Sequence, residues 1–192
     1  MSAVIERKVW TTAELLALPD DGVERWLING ELHEHRDPTM TKRNRWHSQI
    51  LVSVAALLKM WRNQSAEPRG QVVGGEAGCI LSREPDTTVG IDVAYFSPDV
   101  VQRESEETTL MEGPPILAVE ILSPSDTQIE IDKKSDAYLA AGVKLVWIIN
   151  PHLETVLVLQ TGTPPRLFNV NDTITAEPHL PGFSAPVAAF FD

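Results

Sequence analysis

The sequence predicts an α/β fold in which helices flank a mixed β-sheet. Residues 45–62 form a long amphipathic pattern with helical spacing, and residues 116–122 form an almost continuous apolar strand. A second helical pattern and another apolar strand follow directly. Because a strand that is covered on both faces is apolar along its length, residues 116–122 are expected at the centre of the sheet. The length of 192 residues suits one globular unit, so we expect a single domain over residues 1–192.

Three local patterns organise the first third of the chain. The stretch from Thr11 to Glu14 is typical of a capping box that begins a short helix, which ends before Pro19. The Asn29-Gly30 pair predicts a type I′ turn in a hairpin whose strands cover residues 25–28 and 31–33. The helix over residues 45–62 places one set of mostly apolar side chains on a single face: His47, Ile50, Leu51, Val54, Leu57, Leu58 and Trp61.

The rest of the chain consists of strands and one more helix. We predict strands over residues 72–81, 91–96 and 116–122, the first of them interrupted by Gly74-Gly75. A helix over residues 130–141 ends at Gly142, and strands over residues 144–149 and 155–160 follow. The proline-rich tail is expected to contain only short extended pieces, around Leu167 and over residues 183–191.

The composition, with 43% hydrophobic and 22% charged residues, is that of a soluble globular protein. No apolar run approaches the roughly 18 residues that a membrane span needs. Residues 1–10 lack the apolar centre of a signal peptide, so we expect a cytoplasmic protein with no membrane association. A single cysteine, Cys79, excludes an internal disulfide and a cysteine-based zinc site, and we expect it to be a small core residue.

The net charge of −11 gives no general support for nucleic-acid binding, which usually requires a basic surface. The charges are unevenly distributed. Residues 99–136 contain ten acidic and three basic side chains, whereas residues 42–69 contain six basic side chains and only Glu67 as an acid. Both stretches are typical of solvated faces. At most, the second offers a local basic patch, formed by Lys42, Arg43, Arg45, Lys59, Arg62 and Arg69.

Two carboxylates lie inside apolar strands and are the first candidates for chemistry. Asp92 lies within residues 89–96, and Glu120 lies within residues 117–122. A buried carboxylate costs several kcal/mol unless it is paired or binds a metal, and two on adjacent strands would repel each other. A divalent cation between them would compensate, and Asp and Glu oxygens suit Mg²⁺ or Mn²⁺. The alternative is that each carboxylate points outward at a strand end or pairs with a lysine.

Lys134 is the third candidate. On a helical wheel it shares the apolar side of the second long helix with Ile131, Tyr138 and Ala141, whereas Lys133 points further round the helix. A lysine on a buried face needs an anionic partner, which a carboxylate–metal site or a phosphate would supply. The alternative is a snorkelling lysine whose ammonium group stays in water.

The same region resembles a known family. Residues 115–126, PILAVEILSPSD, followed by residues 134–138, 141–143 and 146–151, closely resemble the Uma-type putative restriction endonuclease family of the PD-(D/E)XK nuclease superfamily. The resemblance extends over nearly the whole chain and includes residues 15–19, LLALP, residues 27–32, LINGEL, and residues 180–183, LPGF. It implies a restriction-endonuclease-like core and a metal-dependent endonuclease that hydrolyses DNA.

The resemblance also implies roles for individual residues. Asp92 matches the motif aspartate and Glu120 the second acidic position, while Lys134 matches a lysine that has moved from the strand to the next helix. These three would form the catalytic set. Asp92, Glu120 and the carbonyl of Ile121 would hold Mg²⁺ or Mn²⁺. DNA would be the partner, and since nucleases that cut duplexes commonly pair two sites, we expect a homodimer.

Several positions depart from the family pattern or stay open. Leu122 stands where the superfamily lysine normally lies, Ile91 stands where a proline precedes the motif aspartate, and Trp26 stands where the family often has a glutamate. Glu24 or Glu31 could replace that glutamate. Glu76 is either a third carboxylate or a surface residue, and His47 either contacts the site or is a core histidine. The departures leave a second function open, that of a catalytically inactive nuclease-like module that binds DNA or a protein partner.

Overall fold

A computed structural model of the chain describes residues 8–35, 44–66, 68–103 and 109–192. Three charged residues of the predicted basic stretch, Lys42, Arg43 and Glu67, lie outside the described residues. So do residues 104–108, which contain three of the acidic side chains in the acidic stretch. The structure therefore describes only part of either charged surface.

The chain begins with the helix and hairpin that the sequence predicts. Helix α1 covers Thr12–Leu16 and is closed by a capping box between Thr11 and Glu14. Strands β1 (Glu24–Ile28) and β2 (Glu31–His35) pair antiparallel around a turn at Asn29 and Gly30. Both turn residues have positive φ, 51° and 74°, as a type I′ turn requires, so the predicted hairpin is confirmed.

Two long helices carry the side chains that cover the sheet. Helix α2 covers Arg45–Gln64, two residues longer than predicted, and the side chain of Asn44 accepts a hydrogen bond from the amide of His47 at its start. Helix α4 covers Gln128–Ala140 and begins with a capping box between Thr127 and Glu130. Gly142, with φ of 97°, follows its end as predicted.

Within the described residues, the main sheet contains nine strands and is mixed, which confirms the predicted fold class. The strands after the hairpin are β3 (Gln71–Ser82), β4 (Thr87–Phe96), β5 (Met111–Glu112), β6 (Leu117–Ile121), β7 (Leu145–Asn150), β8 (Thr155–Gln160) and β9 (Thr163–Asn169). The main path of the sheet runs β2-β1-β4-β6-β7-β8-β9, while β3 pairs with β4 and β5 pairs with β3.

Some elements differ from the predictions. Strand β4 begins four residues earlier than predicted, and the short helix α3 (Pro98–Val101) and strand β5 were not predicted. Strands β10 (Thr173–Thr175) and β11 (Ser184–Pro186) form a separate two-stranded sheet. The extended piece predicted over residues 183–191 is wrong in its second half, because Val187–Phe190 forms a 3-10 helix that buries Val187 and Phe190.

One edge of strand β4 is left unpaired by β1 and β6 over part of its length, and this stretch is called the opening on β4. The pairing of β4 with β3 runs along nearly the whole strand and occupies the opposite edge. On the edge that carries the opening, β1 pairs at Thr88, and β6 pairs from Val93 to Tyr95. Among the described residues, no strand pairs with residues 89–92 on that side. Asp92 therefore lies where β1 and β6 separate, next to the end of the β6 pairing.

The core has one part on each face of the sheet. On one face, α2 and the C-terminal segment pack against β4, β6 and β7, with Trp147 at the centre in ring contact with Phe183 and Phe190. On the other face, α4 contributes Tyr138 to a cluster that also contains Cys79. Cys79 is fully buried, as predicted, and burial raises the pKa of its thiol to about 12. Among the described helices, none is long and apolar enough to cross a membrane.

The replacement Trp147→Ala tests the importance of the α2 face of the core. Because Trp147 is fully buried between two aromatic rings, we expect the free energy of unfolding to fall by about 3–5 kcal/mol. Urea unfolding followed by circular dichroism measures this change. Leu167→Ala on β9 is the matched control: Leu167 is 68% exposed, and its loss should change stability by less than about 0.5 kcal/mol. Equal effects of the two variants would contradict this description of the core.

Candidate functional site

Asp92 is held by one contact to the backbone of β6 and one to helix α2. Pairing between β4 and β6 ends at Val93 and Val119, so the next amide that points toward β4 needs another acceptor. The Asp92 carboxylate supplies it: Oδ2 accepts a hydrogen bond from the Ile121 amide at 2.8 Å. Asp92 is only 5% exposed, and this contact fixes its side chain in the opening between β1 and β6.

His47 occupies the other oxygen of Asp92. Its Nε2 lies 3.1 Å from Asp92 Oδ1, and both side chains are buried. The Asn44 cap places His47 in the first turn of α2, which brings the imidazole over the end of the β4–β6 pairing. The sequence left open whether His47 contacts the site or is a core histidine. In the structure it is buried and also contacts Asp92.

Glu120 projects from β6 toward α4. Neighbouring side chains of a strand point to opposite faces, so Val119 and Ile121 join the α2 side of the core while Glu120 faces α4. The phenolic hydroxyl of Tyr138 donates a hydrogen bond to Glu120 Oε1. Lys134 Nζ donates to Oε2 at 3.3 Å. Both oxygens of this carboxylate are therefore oriented by α4.

Lys134 lies on the buried side of α4, as its helical position predicts. Its side chain is 14% exposed, whereas Lys133 is exposed to solvent. Besides Glu120, its ammonium lies 3.7 Å from Glu24 Oε1 on β1 and 5.3 Å from the centre of the Trp26 ring. Lys134 and Tyr138 are four residues apart, so they are neighbours on the helix surface and reach the same carboxylate.

Burial and charge shift the ionisation of this cluster. Burial raises the pKa of Glu120, the charge of Lys134 lowers it and the charge of Asp92 raises it again, with a net value of about 7. Burial lowers the pKa of Lys134, but the charges of Glu120, Glu24 and Asp92 outweigh that effect and raise it above its usual value. Burial also holds the pKa of Tyr138 well above 10, so its hydroxyl stays protonated as a donor. The site thus carries a positive lysine and a carboxyl group that titrates near neutral pH.

A small cavity of about 40 Å³ opens beside Glu120 and Lys134. Glu24 and Trp26 of β1 form part of its wall. The indole of Trp26 stacks on His33 of β2 with ring centres 5.6 Å apart. At the position where the family often has a glutamate, the aromatic side chain of Trp26 thus lines the cavity. The neighbouring carboxylate of Glu24 contacts Lys134 from the same strand.

The other two carboxylates whose roles the sequence left open, Glu31 and Glu76, do not line this cavity. Glu31 is exposed. Glu76 is exposed, has φ of 57°, and lies at the register shift between Gly74 and Ala77 on β3. It lines a different cavity, beneath α1. The interpretation of Glu76 as a surface residue is therefore the one that fits the structure.

The structure brings the predicted residues into one network. Glu120 and Lys134 are in direct contact, and Asp92 joins them through the Ile121 amide and through its effect on the pKa of Glu120. Sequence reasoning missed Tyr138 as a polar member, although its position one turn after Lys134 was available as a signal. Among the described residues, no three His, Cys, Asp or Glu side chains are gathered to hold a metal ion.

Comparison with known proteins decides the family. The sequence profile described as "Uma2: Putative restriction endonuclease" matches residues 12–188, which contain every residue of the network. The chain belongs to this family. The resemblance inferred from the sequence is thereby confirmed.

A solved structure supports the fold of this Uma2-family chain. The structure of this chain is similar to the crystal structure of "a putative nuclease belonging to DUF820 from Anabaena variabilis ATCC 29413", with a TM-score of 0.74. The similarity covers 93% of this chain and 96% of the other at 20% sequence identity, and it therefore concerns the fold alone. Among curated proteins, none matches this sequence significantly.

The ionisation of Glu120 predicts how stability depends on pH. Its pKa is 4.5 in a model peptide and about 7 in the folded chain, so the folded state binds the extra proton. This contribution is complete below about pH 4.5 and is lost as pH rises through 7. We therefore expect Glu120 to lower the unfolding free energy by about 3 kcal/mol over that range. Glu120→Gln should therefore gain stability relative to wild type between pH 5 and pH 8.

Urea unfolding in EDTA at several pH values measures this difference. Asp136→Asn removes an exposed carboxylate from α4, the helix that Glu120 faces, and is the matched control, which should run parallel to wild type. If Glu120→Gln also runs parallel to wild type, the raised pKa of Glu120 is wrong.

Proposed function

We propose that this chain is a metal-dependent endonuclease that hydrolyses phosphodiester bonds of DNA, in one domain over residues 1–192. The observation that carries the proposal is the buried cluster of Asp92, Glu120 and Lys134 at the opening on β4. In this chain of the Uma2 family, two neighbouring strands each contribute a buried carboxylate, and Glu120 lines a cavity together with Lys134, which contacts it. The catalytic set proposed here is Asp92, Glu120 and Lys134.

The donor groups of the cluster fit a hard divalent cation. Burial and the charge of Asp92 both raise the pKa of Glu120, so its ionised form is disfavoured in the protein alone and would be stabilised by a cation. Asp92, Glu120 and the Ile121 carbonyl would hold Mg²⁺ or Mn²⁺, with water completing the shell. In an extended strand the N–H and C=O of one residue point to the same side, so the Ile121 carbonyl faces β4, as its amide does. The bound ion would lower the pKa of a water molecule and neutralise phosphate charge.

The protein's own groups perform the remaining tasks. The Ile121 amide donates a hydrogen bond to one oxygen of Asp92, and His47 lies against the other. Tyr138 and Lys134 donate to the two oxygens of Glu120, so both carboxylates are oriented before DNA binds. Lys134 stays protonated, and its ammonium at the cavity would stabilise negative charge that develops on the scissile phosphate. A non-polar wall at Trp26 keeps that charge in a poorly hydrated space.

Replacement of Lys134 tests the catalytic proposal. Purified wild-type protein should nick supercoiled plasmid in Mg²⁺ or Mn²⁺. Lys134→Met should reduce the rate by at least about 100-fold, because one charge-stabilising group contributes on the order of 10²–10³ in rate. The matched control is Lys133→Met, which removes the same charge from the exposed side of α4 and should leave the rate unchanged. Asp92→Ala should abolish cleavage.

Gel electrophoresis of plasmid forms measures these rates, and a thermal melt of each variant shows that it is folded. Absence of cleavage by wild type, or cleavage by Asp92→Ala at the wild-type rate, would refute the catalytic proposal.

A second candidate function is a nuclease-like module that binds DNA or a protein partner without cutting. The observation that favours it is that the oxygens of Asp92 and Glu120 already contact groups of the protein, three of them through hydrogen bonds. These contacts compensate part of the carboxylate charge without a metal. The net charge of −11 also disfavours close approach of DNA.

Metal titration separates the two functions. If the site binds Mg²⁺ or Mn²⁺, ion at about 100 times its dissociation constant should stabilise the fold by about 2.7 kcal/mol and raise the melting temperature. Asp92→Asn removes the charge with little change in shape and should lose this response, while Asp99→Asn, an exposed aspartate after β4, should keep it. An inactive module would melt at the same temperature in Mg²⁺, Mn²⁺ and EDTA.

We also propose a homodimer, because nucleases that cut duplexes commonly pair two sites. The dimer would sediment at twice the mass of 21.2 kDa.

A further inference from the structure

A large cavity adjoins the candidate site. Its volume is about 750 Å³, within the range of ligand pockets, and it shares Leu122, Asp126 and Ile131 with the small cavity beside Glu120. The cavity lies beyond the carboxyl ends of the parallel strands β6 and β7, because residues 122–124 and 150–151 line it. In α/β sheets this is where ligands commonly bind. A molecule that filled it would therefore reach the proposed catalytic residues.

Trp46 forms one wall of this cavity from the first turn of α2. It is 52% exposed, which is unusual for an indole, and the guanidinium of Arg45 lies 4.3 Å from its ring centre. Ile50 and Ile131 add apolar surface to the lining. An exposed indole beside a cation offers a flat surface on which planar groups stack, and stacking on aromatic side chains is how proteins hold unpaired bases.

The charges of the lining decide which part of a nucleic acid it can accept. Asp126 and Glu154 line the cavity, and among the described residues no lysine or arginine does. Phosphate groups would be repelled from this interior. The edges of bases, in contrast, carry N–H groups that carboxylates accept, as Glu and Asp do with the amino group of cytosine. Arg45, which contacts Trp46, supplies the positive charge that a phosphate at the rim would need.

We propose that this cavity binds an unpaired nucleobase of the DNA substrate, which stacks on Trp46 next to the scissile phosphate. The proposal rests on the proposed nuclease function and narrows its substrate class to DNA with an unpaired stretch. A base within a duplex is stacked and paired, so it cannot enter a pocket of this kind unless it is flipped out. Single-stranded segments, loops and displaced strands are accordingly the preferred ligands.

The experiment measures binding without cleavage. Fluorescence anisotropy in EDTA compares a labelled 12-nucleotide single strand, the matched duplex and a duplex with an unpaired loop, each with the full chain. We expect the single strand and the loop to bind at least about tenfold more tightly than the duplex, because stacking adds affinity for each unpaired base. Trp46→Ala should abolish this preference, and Trp46→Phe should keep most of it.

Val52→Ala is the matched control, since Val52 is a 64% exposed apolar residue of α2 that does not line the cavity. Binding of the single strand should also quench tryptophan fluorescence in wild type and less so in Trp46→Ala. Equal affinity for duplex and single strand, or an unchanged preference in Trp46→Ala, would overturn the proposal. So would a shift of oligomeric state in Trp46→Ala without any change in oligonucleotide binding, because the cavity would then be an interface between copies of the chain.

These outcomes are separable from those of the catalytic test. If plasmid is cleaved and Trp46→Ala binds all three ligands as wild type does, the base-binding proposal falls while the nuclease function stands. If binding depends on Trp46 but plasmid and looped substrates stay intact in Mn²⁺, catalysis falls while the binding site stands. If no nucleic acid binds under any condition, both proposals fall.

Discussion

The separation of β1 and β6 along one edge of β4 is the constraint on which the site depends. Because neither strand pairs with β4 over residues 89–92, the Ile121 amide has to find a side-chain acceptor, and Asp92 provides it. The same gap leaves room between the strands for charged side chains from β1, β6 and α4. A continuous ladder would have closed this space and left no cavity beside Glu120. The irregularity of the sheet is therefore what allows buried charge at the centre of an otherwise apolar layer.

Each buried charge in this space is stabilised by a group from a different element. Helix α2 contributes His47, α4 contributes Lys134 and Tyr138, and β1 contributes Glu24. Removing one member would leave its partner buried without compensation, which costs more than the contact itself contributes. The network thus links the two faces of the sheet, and its carboxylates stay oriented without help from a ligand. This property serves a catalytic centre and a stable binding module equally well, which is why metal binding and cleavage have to be measured separately.

Much of the fold could be predicted from the sequence because its signals are local. The Asn29-Gly30 turn, the capping box at Thr11 and the apolar face of α2 each depend on a few neighbouring residues, and each is present in the structure. The least accurate predictions concern elements whose form depends on distant contacts. Strand β5 exists only because Met111 and Glu112 pair with β3, and Val187–Phe190 forms a 3-10 helix whose side chains complete the core around Trp147.

For the candidate site, the sequence by itself determined that Asp92 and Glu120 lie inside apolar strands and on which side of α4 Lys134 lies. Burial of a charge inside an apolar strand or on an apolar helix face follows from periodicity, so Asp92, Glu120 and Lys134 could be selected without coordinates. Only the tertiary structure decided their partners. His47, Tyr138 and Glu24 come from three elements whose relative positions depend on sheet order, and no local pattern specifies that order. The cavity at Trp46 likewise exists only because the first turns of α2 and α4 both line a space beyond the ends of β6 and β7.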